Sequence, residues 1–179
     1  SDEPLRGSLI MAAVGNSIDA GVSLNIDLER EINHALKNGF VKSDYDIFKN
    51  KLNKSNNILI IADNSGEAVF DKLFIEELNN YDIEVNYAVR DAPALNDVTL
   101  REAEFIGIDK ICNVFSSGCK SPGLILNNTN SEFKEYFHES DIILSKGQGN
   151  LEGLLEERED IFYLLKAKCD IIADLLEVN

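Results

Sequence analysis

Residues 58–61, Ile-Leu-Ile-Ile, form an apolar run that no polar residue interrupts. Four branched aliphatic residues in a row predict a strand that is buried on both faces, as in a parallel sheet covered by helices. Asp63 follows at the carboxyl end of this strand, where the ligand crevice of an open α/β sheet lies. The next segment predicts a helix that turns Lys72, Glu76 and Glu77 to water. Its predicted buried stripe consists of Val69, Phe70, Leu73, Phe74 and Leu78.

The rest of the chain alternates between helical and strand-like periodicity. Apolar spacing and capping residues predict further helices over residues 5–14, 27–37, 44–52, 100–106, 131–137, 151–157 and 170–176. Runs rich in β-branched and aromatic residues predict strands over 83–89, 111–115, 141–145 and 161–165. This alternation predicts one doubly wound α/β sheet. We expect a single domain over residues 1–179, with a helical lead-in over 1–55 and an α/β core over 56–179.

Acidic side chains outnumber basic ones by 32 to 17, and the formal net charge is −15. Such a field repels nucleic acid and anionic membranes, so neither is an expected partner. An anionic ligand would need local positive charge, from a metal ion or from a few lysines. No apolar run approaches the roughly 20 residues that span a bilayer, and no signal sequence opens the chain, so we expect a cytoplasmic protein.

Cysteine and histidine are sparse. Cys112, Cys119 and Cys169 are odd in number and form no Cys-x-x-Cys pair, which argues against a disulfide framework or a zinc knuckle. His34 and His138 lie in polar helical contexts and are predicted to be surface residues. A metal ion here would therefore depend on oxygen ligands, which favours Mg²⁺ or Mn²⁺ over zinc.

The segment after the central strand allows two interpretations. Asn64 and Glu67 have the spacing of a capping box, in which both side chains satisfy free amides at a helix start. Gly66 caps nothing and lowers helix propensity, but it suits a backbone that passes close to a ligand. The sequence leaves open whether this turn is a helix cap or a binding site.

Polar loops follow the next three strands as well. The first carries Arg90 and Asp97, although Asp97 could be an ordinary turn aspartate. The second is a loop that begins at Ser116, and its backbone amides could cradle a phosphate, or it could be simply flexible. The third strand runs into Lys146, whose ammonium could point into the crevice beside Asp63 or into solvent.

Four motifs occur in order along the chain. They are Asp-Asn-Ser-Gly-Glu at 63–67, Pro-x-x-Asn-Asp-Val-Thr at 93–99, Lys-Gly-Gln-Gly-Asn at 146–150 and Leu-Lys-Ala-Lys-Cys at 165–169. Together they resemble the damage-control phosphatase family, formerly a domain of unknown function, and most closely its prokaryotic, mainly archaeal, branch. The resemblance extends from about Leu5 to the carboxyl end.

The resemblance implies a Rossmann-like three-layer α/β/α sandwich with a mostly parallel sheet. It also implies a metal-dependent phosphatase that acts on small phosphate monoesters, such as sugar phosphates or damaged phosphometabolites. Carried over by motif, Asp63, Asn64 and Asp97 would hold a divalent cation, which could be Mg²⁺, Mn²⁺, Co²⁺ or Ni²⁺. Lys146 would bind the phosphate, and Asp63, Asp97 and Lys146 would be the catalytic residues.

Further residues are predicted to line the same cleft. Asn16 and Asp19 match a Gly-Asn-x-Ile-Asp segment of the family, although without the resemblance the sequence favours a left-handed helix cap for Asn16. The other predicted substrate-binding residues are Glu67, Arg90, Asn96, Ser116, Ser117 and Gly118. Family members usually carry a further helical segment ahead of the residue that matches Pro4, so we expect either a fragment or a short member.

Three other functions or mechanisms compete with this one. Direct attack by Asp63, as in haloacid-dehalogenase-type phosphatases, usually requires an aspartate two residues later, where this chain has Ser65. A binding module could sense a phosphometabolite with the same crevice and without turnover. Methyl transfer to carboxylates is a further alternative, but no glycine-rich cofactor loop follows the first strand. No sequence feature identifies a protein partner.

Overall fold

The computed structural model describes residues 3–15 and 28–178. Three helices come first: α1 (Pro4–Gly15), α2 (Leu28–Asn38) and α3 (Tyr45–Leu52). They are followed by β1 (Asn57–Ile61), α4 (Ser65–Leu78), β2 (Glu84–Val89), α5 (Leu100–Ile106) and β3 (Asn113–Ser116). The remaining elements are α6 (Ser131–Glu139), β4 (Ile142–Lys146), α7 (Gln148–Leu154), β5 (Ile161–Leu164) and α8 (Asp170–Leu175).

The five strands form one sheet in the order β3-β2-β1-β4-β5, and every pair of neighbours is parallel. The chain winds outwards from β1 in one direction and then returns to build β4 and β5 on the other side. This reversal places the topological switch point between β1 and β4. In such sheets the ligand crevice lies outside the carboxyl ends of the strands at the switch point.

Helices cover both faces of the sheet because successive strand residues point to opposite sides. Ile58 and Ile60 of β1 belong to a hydrophobic cluster with residues of α1, α3, α4 and α5. Leu59 and Ile61 belong to a second cluster with residues of α6 and α7. The predicted three-layer α/β/α architecture and the burial of the central strand on both faces are confirmed.

The predicted buried face of α4 is wrong in part. Phe74 and Leu78 are buried as predicted, but Val69 is 52% exposed and Leu73 is 47% exposed. The inward face carries two acids instead, Glu67 and Asp71, among apolar residues. The stripe was predicted from apolarity alone, and that criterion fails where an opposite charge is buried across the interface, as Lys146 of β4 is here.

Other local predictions have mixed outcomes. Helix α5 begins at Leu100, as predicted, and a capping box of Thr99 and Glu102 forms at its start. Helix α7 begins at Gln148, three residues before the predicted start, because Gly147 serves as its N-cap. None of the described helices combines the length and the apolarity needed to cross a bilayer.

Candidate active site

The loops after β1 and β2 are joined directly to each other at the carboxyl edge of the sheet. Asn64 and Asp97 form an antiparallel bridge, which brings their Cα atoms to within about 5 Å. The Ser65 amide donates to the Asn96 carbonyl oxygen at 2.8 Å, and the Val98 amide donates to the Asp63 carbonyl oxygen at 2.8 Å. The predicted convergence of the 63–67 and 93–99 motifs is therefore present.

The three residues that the resemblance implies as metal ligands lie together and are mostly buried. Asp63 is 9% exposed, Asn64 is 6% exposed and Asp97 is 8% exposed. The Asn64 amide nitrogen donates to Asp63 Oδ2 at 3.1 Å and to Glu67 Oε1 at 2.8 Å. Its oxygen does not cap α4, so the capping-box interpretation of Asn64 and Glu67 is wrong. Because both amide hydrogens are used, the amide oxygen is directed away from these carboxylates.

The electrostatics of this cluster favour a bound cation. Burial raises the pKa of Asp63 from 3.8 to about 7, and the negative charges of Glu67 and Asp97 add to the rise. The pKa of Asp97 is also raised, because its burial outweighs the attraction of the Arg90 guanidinium. A divalent cation would relieve this crowding of carboxylates.

The donor set fits a hard divalent cation. Within the described residues, no group of three or more His, Cys, Asp or Glu side chains is arranged to hold a metal ion. Two carboxylates and one amide oxygen are nevertheless what Mg²⁺ commonly uses, since it keeps several waters and takes further oxygens from a substrate phosphate. Asp63, Asn64 and Asp97 could therefore hold such an ion at an open site.

The raised pKa of Asp63 predicts a pH dependence for the cation-free protein. Above about pH 4 the unfolded chain has lost this proton and the folded chain still holds it, so unfolding becomes easier as the pH rises to about 7. Taken alone, the shift corresponds to a loss of up to about 4 kcal/mol across this window, and no further loss above it. Urea unfolding of the chelator-treated protein measures it.

Asp63→Asn removes this titration and should flatten the pH profile between about pH 4 and pH 7. The flattening will be incomplete, because Asp71 and Asp97 also have raised pKa values and act in the same direction. A profile in Asp63→Asn that is as steep as that of the unsubstituted protein would contradict the assignment.

Gly147 lies directly against the Asp63 carboxylate. Its φ of 78° and ψ of 156° lie in a region that glycine occupies almost alone. A Cβ at this position would lie 2.0 Å from Asp63 Oδ2. The glycine at this position therefore leaves room for the Asp63 carboxylate.

Gly147→Ala is expected to displace the Asp63 carboxylate and to cost about 1–3 kcal/mol of stability. We expect the stabilisation of the protein by Mn²⁺ to be lost, which a thermal unfolding titration measures. Gly107→Ala is the matched control, since Gly107 has a φ of 81° but its Cβ would lie no closer than 3.5 Å to another atom. Equal Mn²⁺ effects in the two variants would contradict this role of Gly147.

Arg90 lies fully inside the site at the end of β2. Its Nε donates to Asp97 Oδ2 at 2.7 Å, and its Nη2 donates to Asn150 Oδ1 at 2.5 Å. Asn150 in turn donates to the carbonyl oxygens of Ala62 and Lys146 at 3.0 and 2.7 Å. Arg90 Nη1 is buried and has no hydrogen-bond partner among the described residues. An anionic oxygen would satisfy this donor.

Lys146 does not present its ammonium to the crevice, contrary to prediction. The side chain is fully buried. Its Nζ donates to the Ala12 carbonyl oxygen at 3.0 Å, to Glu67 Oε2 at 2.6 Å and to Asp71 Oδ1 at 2.5 Å. An ammonium has three hydrogens, so its donor capacity is used within the protein.

Glu67, predicted to bind substrate, lies in the same buried layer. One of its carboxylate oxygens accepts from Asn64 and the other accepts from Lys146, and the side chain has no exposed surface. Sequence reasoning missed Asp71, which contacts the same ammonium. Its position one helical turn after Glu67 on α4 was the available signal.

The loop after β3 does not offer the predicted amide cradle. The Ser117 amide donates to the Val89 carbonyl oxygen at 2.8 Å, and the Gly118 amide donates to Ser116 Oγ at 3.1 Å. Ser116 Oγ donates to Asp91 Oδ1 at 2.8 Å. The amides of Ser117 and Gly118 are thus already hydrogen-bonded within the protein, and the Ser116 hydroxyl is engaged with Asp91.

The other predicted residues are only partly placed. Asn96 is half-buried next to Asp97, and its carbonyl oxygen ties the two loops together. Asn16 and Asp19 lie outside the described residues. The last described residue before them, Gly15, packs closely on α4, and a Cβ there would lie 2.8 Å from Glu67 Cα. Asn150 was missed as a site residue, although it ends the 146–150 motif.

Comparison with known proteins gives consistent results. The model of the damage-control phosphatase ARMT1-like domain matches residues 1–179. A protein of Methanocaldococcus jannaschii is 38% identical, with coverage of 99% of this chain and 60% of the relative. Damage-control phosphatases of Pyrococcus horikoshii and Archaeoglobus fulgidus are 37% and 30% identical, with coverage of 94% and 100% of this chain and 60% and 64% of the relatives.

The structural comparison agrees with the sequence comparisons. The crystal structure of a DUF89 family protein from Pyrococcus horikoshii matches with a TM-score of 0.91 and 36% identity, over 99% of this chain and 63% of that chain. The chain thus spans 60–64% of the length of these similar proteins. The predicted family is confirmed: this chain belongs to the damage-control phosphatase ARMT1-like family.

Proposed function

We propose that this chain hydrolyses small phosphate monoesters, such as sugar phosphates or damaged phosphometabolites, with the help of a divalent cation. Two similar proteins that carry the name damage-control phosphatase support the reaction class. The observation that carries the proposal is the meeting of Asp63, Asn64 and Asp97 beside Arg90, whose buried Nη1 has no partner among the described residues.

The cation site would consist of the Asp63 and Asp97 carboxylates and the Asn64 amide oxygen. A bound Mg²⁺, Mn²⁺, Co²⁺ or Ni²⁺ ion supplies Lewis acidity towards a phosphoryl oxygen and lowers the pKa of a water. The chain is strongly acidic overall, so an anionic substrate needs this local positive charge to enter the site.

We assign to Arg90 the role of phosphate binder that the resemblance implies for Lys146. Asp97 and Asn150 hold its planar guanidinium from two sides, so the group is already oriented before a ligand arrives. Its Nη1 would donate to a non-bridging phosphoryl oxygen. An oriented donor of this kind stabilises the charge that develops on those oxygens in the transition state.

The rival mechanism with Asp63 as nucleophile gains no support from the neighbouring residue. Ser65 occupies the position where a second aspartate would act as acid, and its hydroxyl donates to the Asp97 carbonyl oxygen at 3.3 Å. Ser65 therefore helps to join the two loops. The proposed reaction is attack by water on the phosphorus atom, with release of the alcohol and inorganic phosphate.

The test is release of inorganic phosphate by metal-stripped protein after addition of Mg²⁺, Mn²⁺, Co²⁺ or Ni²⁺. A panel of sugar phosphates and other phosphate monoesters should include at least one that is hydrolysed with a cation and is not hydrolysed with chelator. Arg90→Lys keeps the positive charge but loses the planar guanidinium that donates to several partners at once. It should lower turnover by about 10²–10³-fold. Thermal stabilisation by an ester without any phosphate release would favour a non-catalytic sensor instead.

A further inference from the structure

A buried cluster of charges lies directly behind Asn64. Lys146 of β4 contacts Glu67 and Asp71 of α4 and the Ala12 carbonyl oxygen of α1 at 2.5–3.0 Å. Tyr87 of β2 adds a hydroxyl that donates to Asp71 Oδ2 at 2.8 Å. All four side chains are at least 99% buried. The cluster therefore joins two helices and two strands of the core.

Glu67 connects this cluster to the candidate cation site. Its Oε2 accepts from Lys146, and its Oε1 accepts from the amide nitrogen of Asn64 at 2.8 Å. The same nitrogen donates to Asp63 Oδ2 at 3.1 Å. The two carboxylates thus receive both amide hydrogens of Asn64.

Asn64 needs such support because an asparagine amide is easily reversed. Its terminal torsion is broad and roughly two-fold, so half a turn exchanges the oxygen and the nitrogen. In the reversed orientation the oxygen would face the carboxylates of Asp63 and Glu67, and the nitrogen would face an approaching cation. A Glu67 carboxylate that is held in place by Lys146, and that accepts from the Asn64 nitrogen, would oppose this reversal.

Burying this cluster of charges carries a large desolvation penalty. Two carboxylates share one ammonium, and buried ion pairs generally stabilise a fold no better than apolar residues of the same volume. Stability is therefore a weak explanation for Glu67, Asp71 and Lys146. A better explanation is that the cluster holds Glu67 in place. Lys146 fixes the position of Glu67, and Asp71 together with Tyr87 fixes the position of Lys146.

We infer that Glu67, Lys146, Asp71 and Tyr87 are positioning residues that hold the Asn64 amide with its oxygen towards the cation site. Lys146 acts on the reaction through Glu67, and it does not touch the phosphate. The effect on turnover rests on the proposed function, whereas the effect on cation affinity is independent of it. Supporting groups around a metal ligand typically change metal affinity by about 10–100-fold.

The test is a calorimetric titration of the purified, metal-stripped protein with Mn²⁺. Glu67→Gln keeps the size of the side chain but can accept only from Asn64 or from Lys146, so Mn²⁺ affinity should fall by about 10–100-fold. Tyr87→Phe removes one hydroxyl at the far end of the cluster and should weaken Mn²⁺ binding in the same direction by a smaller factor. Glu102→Gln, in the capping box of α5, is the control and should bind Mn²⁺ like the unsubstituted protein.

Lys146→Met separates positioning from direct contact. Positioning predicts weaker Mn²⁺ binding and, at saturating Mn²⁺, unchanged inhibition by inorganic phosphate. Weaker phosphate inhibition with intact Mn²⁺ affinity would overturn the inference. If Lys146→Met does not fold, Tyr87→Phe and Glu67→Gln decide the matter, since unchanged Mn²⁺ affinity in both overturns it.

The outcomes also separate this inference from the proposed function. An unsubstituted protein that binds Mn²⁺ but hydrolyses no ester would refute the phosphatase proposal and leave the positioning of Asn64 standing if the variants behave as expected. An unsubstituted protein that binds no Mn²⁺ overturns the inference itself.

Discussion

Asp97→Asn is expected to leave the fold intact and to abolish nearly all phosphate release. The substitution preserves the shape of the side chain. In the unsubstituted protein Arg90 Nε lies 2.7 Å from Asp97 Oδ2, and the new amide oxygen can still accept this hydrogen bond. It removes one of the two carboxylate charges of the proposed cation site. Loss of a metal ligand should exceed the effect of losing a supporting group, so we expect a fall in turnover of more than about 100-fold.

Asp91→Asn is the matched control for this prediction. Asp91 lies in the same loop and carries the same charge, but it is partly exposed and pairs with Lys120 at 3.5 Å. Its replacement should leave turnover nearly unchanged. Steady-state phosphate release across a range of Mn²⁺ concentrations measures both variants. Full turnover in Asp97→Asn at low Mn²⁺ would remove Asp97 from the cation site.

Lys146→Met should have the largest effect on stability. Without the ammonium, the carboxylates of Glu67 and Asp71 remain buried near each other with no opposite charge between them. Breaking a buried pair in this way costs about 3–5 kcal/mol, a large part of the total stability of a typical domain. Urea unfolding at about pH 8 measures the loss, and some of it should be recovered at lower pH, where the Asp71 carboxylate takes up a proton.

The direction of this pH effect follows from the groups themselves. Burial raises the pKa of Asp71 to about 6 even though Lys146 attracts its charged form, so loss of Lys146 raises that pKa further. Lys120→Met, which removes an exposed lysine, should change the free energy of unfolding by less than about 0.5 kcal/mol. Equal stability of Lys146→Met and the unsubstituted protein would show that the buried cluster is not charged.

Much of the fold could be predicted because hydrophobic periodicity is a local property of the chain. The run at residues 58–61 is buried on both faces of the sheet, as four aliphatic residues in succession predict. The loops that carry Asp63 and Asp97 do meet, because parallel strands bring their carboxyl ends to one edge of the sheet. The choice of Asp63, Asn64 and Asp97 as cation ligands came from the resemblance of the motifs, because Asp97 taken alone could be an ordinary turn aspartate.

The face of α4 could not be predicted in the same way. Glu67 and Asp71 point into the core because they meet an ammonium that lies 79 and 75 positions away along the chain. Burying an isolated carboxylate is unfavourable, so periodicity assigns such residues to water. Only the packing of β4 against α4 reverses that preference.

The choice between Arg90 and Lys146 as the cation that meets a ligand also depended on the tertiary structure. Arg90 directly follows β2, and Lys146 is the last residue of β4. Both are basic residues close to predicted site residues. The difference lies in their hydrogen bonds, since all three Lys146 hydrogens have acceptors and Arg90 Nη1 has none among the described residues. The amino-acid order specified the strands, their ends and the acids gathered there. Which charged groups are already satisfied was decided by contacts between distant segments, because hydrogen-bond saturation depends on atoms that only folding brings together.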